Sequence, residues 1–329
     1  MIIIVGGGIF FYLGGSGATP VKIFHAGSLA KPLAELEILF ENQNNVDVQR
    51  EPAGSVATVR KVTQLGKTTD LVAVADYSLI PNMMMDEYAC WYIQFARNEM
   101  VIAHTADSTY ADEVDNNNWY EILARPGVRF GFSNPNNDPC GYRTMMVIQL
   151  AEMYYDNSKI FDDLIKANTN ITTSKTDNKI TIEVPSTEEL NPNAGKVRIE
   201  SKETDLIHLL EEGSIDYAFE YRSIAVQYDL DFIELPAEAN LAYVEYENIY
   251  AQVELKLEDE EPITAKPIVY GVTIPTNARH EKEAIKFVEL LITSDGQQIF
   301  EDLGQPPINP PVASSIDKLP ENLQQLVKA

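Results

Sequence analysis

From Val21 onward, short apolar runs alternate with stretches whose apolar residues recur at helical spacing. "VKIFHAGS" reads as a strand ending in a turn, and "LAKPLAELEILFENQN" as an amphipathic helix with Leu33, Leu36, Ile38, Leu39 and Phe40 on its apolar side. "NVDVQREPAGS" repeats the strand and turn, "VATVRKVTQLG" repeats the helix, and "TDLVAVADYSLI" adds a buried strand. This alternation predicts a mainly parallel sheet with helices on both faces.

The pattern then starts again. "EMVIAHT" is a candidate crossover strand, a helix lies near "NNWYEILARPG", and "VRFGFSNPNNDPCGYRTMMVIQLAEMYY" gives strand, turn and long helix. "EEGSIDYAFEYRSIAVQYDLDFIELP" gives one more strand, a polar turn and a short helix. "KITIEV" and "KVRIES" alternate polar and apolar residues around "NPNAG" and read as an inserted hairpin, while the acidic "KLEDEEP" reads as an exposed turn. "AKPIVYGVTIP" is a second crossover, "HEKEAIKFVELLITSDGQQIFEDLG" supplies two closing helices, and "QPPINPPV" is extended. The expected fold class is α/β, with two lobes of mainly parallel sheet flanked by helices. Residues 21–100 and 266–329 form the first lobe, 101–265 form the second, and a ligand cleft lies between the carboxyl ends of their strands. Residues 1–20, with the apolar "MIIIVGGGIFFYLGG", are too short to span a bilayer and lack a charged start, so they read as the remnant of a leader or anchor. A dinucleotide loop there fails because Phe11 stands where the third glycine belongs.

Charge and composition narrow the function. Lys+Arg 25 against Asp+Glu 50 gives a net charge of -25 with no basic cluster, which argues against nucleic acid and anionic membranes as partners. Cys90 and Cys140 have no metal-ligand spacing; one disulfide and two free thiols both remain open. His25, His104, His208 and His280 show no zinc spacing, and neither G-x-S-x-G nor a P-loop occurs. The expectation is a non-enzyme without a cofactor.

The chemistry concentrates at strand ends. "HAGS" and "PAGS" each place a serine where a strand runs into a helix, presenting free N–H groups, a hydroxyl and a positive dipole end. Taken singly, Ser28 and Ser55 suit plain helix caps; taken together they suit one small anion. "DPCGYR" and "EYRS" repeat the layout with the carboxylates Asp138 and Glu220. Asp138 before Pro139 fits a cap, whereas a carboxylate following the apolar Tyr217–Phe219 run needs a partner or a proton.

"FHAGSL", "AGSV", "FGFSNPNNDPCGYRT" and "FEYRS", in this order, resemble the molybdate/tungstate-binding proteins of ABC importers, in their archaeal-type branch. The resemblance covers Val21 to Val312 and implies the two-lobed type II periplasmic-binding-protein fold. It further implies an extracytoplasmic receptor, expected to be monomeric, that delivers tungstate or molybdate to a membrane permease. By motif position Ser28 and Ser55 are the hydroxyl donors and Asp138 and Glu220 the carboxylates that approach the metal, with Tyr142, Arg143, Tyr221 and Arg222 around them. The leader lacks a lipobox cysteine, which departs from the usual anchoring pattern. Two other readings stay open: a ferric-iron receptor using phenolates such as Tyr154 and Tyr155, and an enzyme on the same scaffold with Asp138 and Glu220 as acid and base.

Overall fold

A computed structural model describes residues 18–176, 179–258 and 260–329. Of the leader assignment for residues 1–20, residues 1–17 lie outside the described residues, whereas Thr19 and Pro20 already belong to the first strand. Strand Thr19–Ala26 pairs in parallel with Val46–Ala53 on one side and Leu71–Val74 on the other, linked by helices Ala30–Gln43 and Ser55–Thr63. Successive residues face opposite cores: Ile23 packs with Leu33, Leu36 and Phe40, while Phe24 packs with Val59, Val72 and Val74. Both faces are therefore covered, as a parallel sheet requires. Ile38 departs from the expected apolar face and is 63% exposed, because helical spacing carries 33, 36 and 40 inward and leaves 38 outside.

Three further strands complete this first sheet: Val269–Thr273, Ile93–Arg97 and Pro307–Ala313. Each joins antiparallel, so the sheet is mixed rather than mainly parallel. The second main sheet, also mixed, orders Asp231–Glu234, Met100–His104, Tyr217–Tyr221, Phe130–Ser133 and Val197–Glu200. Helix Pro139–Tyr155 covers its Phe130, Phe132, Tyr217 and Phe219 face, and helix Glu203–Glu211 covers the Ala218 face. Ile180–Val184 and Val197–Glu200 do not form the expected hairpin. The first pairs with Thr172–Lys175 and Val253–Leu257 in a separate small sheet, and the second pairs with Phe130–Ser133. Local alternation gave their strand character; their partners come from distant segments.

The chain passes between the main sheets at Asn98–Glu99 and again just before Val269. Tyr221 is paired with Met100, and Gly271 with Val74. The carboxyl ends of the parallel strands in both sheets therefore lie at these crossovers and face one another. Cys90 and Cys140 are free thiols, the first exposed and the second buried.

Candidate functional site

On the first lobe, Ser28 lies in the single turn Gly27–Leu29, exposed, and Ser55 is the first residue of its helix. Neither serine side chain caps a helix: the N-cap positions are Ala26, Leu29 and Gly54, none with a side-chain cap bond. Ser55 Oγ instead accepts the Ala75 N–H at 3.1 Å, which leaves its proton to donate elsewhere. The plain-cap reading of these serines thus has no hydrogen bond behind it.

On the second lobe, Asp138 is the N-cap of helix Pro139–Tyr155, with Oδ1 accepting the Cys140 N–H at 3.1 Å and proline in the first turn. Its Oδ2 accepts the Glu203 N–H at 2.8 Å, so the same carboxylate also closes helix Glu203–Glu211. Gly141 makes this junction possible: a Cβ there would stand 2.0 Å from the Ser133 carbonyl oxygen. Glu220 is fully buried at the end of strand Tyr217–Tyr221, and neither of its oxygens has a hydrogen-bond partner. The Ser133 hydroxyl, buried at the end of the neighbouring parallel strand, is likewise unpaired. Burial first, and then the charges of Glu203 and Asp138, push the Glu220 carboxyl well above its ordinary value. Glu203 is pushed up to about 7 by burial and by its hydrogen bond and charge contact with Asp138. Sequence reasoning missed Glu203; its position opening a helix was the one available signal.

The Arg143 guanidinium donates to the Tyr221 hydroxyl at 2.5 Å and lies 5.6 Å from the ring centres of both Tyr142 and Tyr221. Its charge is felt by Tyr270, and it feels Asp76, both on the opposite lobe. Arg222 turns away to the crossover, 3.4 Å from Glu99 Oε1 and 3.7 Å from Glu301 Oε1, because the nearly buried Glu99 needs a counter-charge. Its place beside the site gives way to that role. Asn98 ties the lobes together: Nδ2 donates to Ser223 Oγ at 2.8 Å and to the Tyr270 hydroxyl at 3.2 Å. Tyr154 and Tyr155 lie at the far end of helix Pro139–Tyr155, about 24 Å from Asp138 at 1.5 Å per residue, so they take no part in this site. Among the described residues no group of three or more His, Cys, Asp or Glu is placed to hold a bare metal ion.

Ser28 and Ser55 thus stand at strand–helix junctions of one α/β lobe, and Asp138, Glu220 and Arg143 at those of the other. The family model of the bacterial extracellular solute-binding proteins matches residues 21–304, and the chain belongs to that family. It is therefore a binding protein of ABC transport and not an enzyme. It is 49% identical over 314 residues to an uncharacterised solute-binding protein of Methanococcus maripaludis, covering 94% of this chain and 93% of that one. A second uncharacterised solute-binding protein, from Staphylothermus marinus, is 40% identical over 325 residues, covering 97% and 92%. Among solved structures, the periplasmic molybdate-binding protein of Azotobacter vinelandii superposes with a TM-score of 0.54 at 15% identity, over 87% of this chain and 98% of that one. At such identity the likeness establishes the fold alone. The family is extracellular, and no helix among the described residues is long and apolar enough to cross a membrane.

Proposed function

We propose that this chain captures tungstate or molybdate between its lobes, as a monomer, and presents the closed complex to a membrane permease. The observation that carries the reading is Glu220: a fully buried carboxylate at a strand end, with both oxygens unpaired. An ionised carboxylate repels an oxyanion's oxygens and cannot donate to them. Tungsten and molybdenum accept additional oxygen ligands, whereas the sulfur of sulfate does not. A carboxylate aimed at the central atom therefore favours these two anions and disfavours sulfate. Asp138 is the second carboxylate of this reading, its remaining lone pairs directed at the same ligand. Ser28 and Ser55 supply hydroxyl donors, and Arg143, stacked by Tyr142 and Tyr221, provides positive potential inside a strongly acidic protein.

Calorimetric titration of ligand-stripped protein with tungstate, molybdate, sulfate and ferric citrate tests this. The expected result is one-to-one binding of the first two with little response to sulfate. Heat with iron alone, or equal binding of sulfate, overturns it.

A further inference from the structure

Asn98, in the first crossover, and Gln305, just after the last long helix of the first lobe, turn their amides onto the same atom. Asn98 Nδ2 donates to the Tyr270 hydroxyl at 3.2 Å and Gln305 Nε2 donates to it at 3.1 Å. Other contacts fix the direction of each amide. Asn98 Oδ1 accepts the N–H groups of Glu99 and Ser223 at 3.0 and 3.3 Å, and Gln305 Nε2 also donates to the Ser28 carbonyl at 2.8 Å. A phenol oxygen offers two acceptor positions and one proton. With both positions filled, the proton is the valence that remains.

The phenol oxygen lies on the serine wall. Gln305 brings the phenol and the Ser28 backbone to one nitrogen, and the Ser28 side chain stands beside the phenol. In the sheet, Gly271 pairs with Val74, so Tyr270 adjoins Ala75, whose N–H holds Ser55 Oγ at 3.1 Å. The ring itself is buried against Phe95 and is not free to swing away. We propose that Tyr270 is a third hydroxyl donor of the ligand site, its proton held toward the bound anion by Asn98 and Gln305. This rests on the oxyanion reading above and adds to it. The Tyr270 oxygen, already accepting two donors, offers its proton only, and so suits a deprotonated oxygen of the anion at that position.

The test is calorimetric titration of the full chain and its Tyr270→Phe variant with tungstate and molybdate, with near-ultraviolet difference spectra recorded at each addition. Tyr270→Phe keeps the ring. It is expected to bind about tenfold more weakly, the scale of one hydrogen bond to a charged group, and to lose a tyrosine difference band seen in the wild type. Unchanged affinity, or a difference band undiminished in the variant, overturns the inference. In a Ser28→Ala background the same substitution is expected to cost the same factor; if its effect vanishes there, Tyr270 acts only through Ser28 and direct donation is wrong. Gln305→Met removes one of the two amides and is expected to weaken binding in the same direction by a smaller factor, which keeps the proposal testable should Tyr270→Phe fold poorly. A wild type that takes up neither anion overturns the function reading and this inference together. A wild type that binds, with Tyr270→Phe unchanged, overturns the inference alone.

Discussion

Asp138 Oδ2 accepts the backbone N–H of Glu203 at 2.8 Å across 65 residues of chain, so a side chain that begins one helix also completes the start of another. With Oδ1 on Cys140, the carboxylate holds two helix termini of the second lobe at one point.

Replacing it by alanine removes both caps. Asp138→Ala is expected to destabilise the ligand-free protein by about 2 kcal/mol, roughly 1 kcal/mol for each cap. Urea unfolding without ligand measures this. A loss below a few tenths would mean that the caps are dispensable.

Ser28 behaves oppositely. Its side chain is exposed and caps nothing, so Ser28→Ala should melt within a degree or two of the wild type, the usual scale of a surface change, while binding tungstate more weakly. Thermal melts of both proteins with and without ligand separate the two effects; an equal ligand-induced rise in midpoint would remove Ser28 from the site.

Glu220→Gln substitutes a neutral side chain of the same shape for a carboxyl whose protonated form burial favours in the ligand-free protein. The ligand-free fold should be as stable as the wild type at neutral pH. Tungstate affinity should fall more than tenfold while sulfate changes little or improves. Equal small losses for both anions would remove the coordination argument.

The raised carboxyl of Glu203 has a definite sign. A carboxyl whose value rises from 4.5 unfolded to about 7 folded holds more protons in the folded state between those limits. Its contribution to stability is therefore lost as pH climbs from about 4.5 to about 7, and Glu220 acts in the same direction. Denaturation of the ligand-free wild type and of Glu203→Gln across this range should show the variant losing less stability on the alkaline side. Parallel curves would exclude Glu203 as the source.

Gly304, at φ +74°, touches the other lobe: a Cβ there would stand 2.9 Å from the Arg222 carbonyl oxygen and 2.8 Å from Val226 Cβ. Gly304→Ala should destabilise the protein by about 1–3 kcal/mol through strain and overlap. Chemical unfolding reads the loss, and a neutral result would show that the two elements separate at no cost.

Much of this architecture can be read from periodicity because the buried strands are short, apolar and bounded by turn residues. Leu71–Val74, buried at every position, is an example. The hairpin expected from "KITIEV" and "KVRIES" failed because alternation reports which residues make a strand and not which strand they join. Asp138 and Glu220 stood out because each breaks an apolar or proline-marked boundary. Glu203, Tyr270, Asn98 and Gln305 carry no such local mark: each matters through an atom contributed by a remote segment. Arg222 looked like a cation for the cleft until the buried Glu99 was seen to hold it.

The double cap at Asp138 also affects how related sequences should be compared. A receptor that drifted to another solute would still need that aspartate to keep its second lobe folded, so its presence in a relative says little about cargo. Glu220 supports no helix and its oxygens have no hydrogen-bond partner, so on the oxyanion reading proposed above drift of the ligand leaves nothing to retain it. Of the two carboxylates, the one at position 220 is the better marker of what a relative carries.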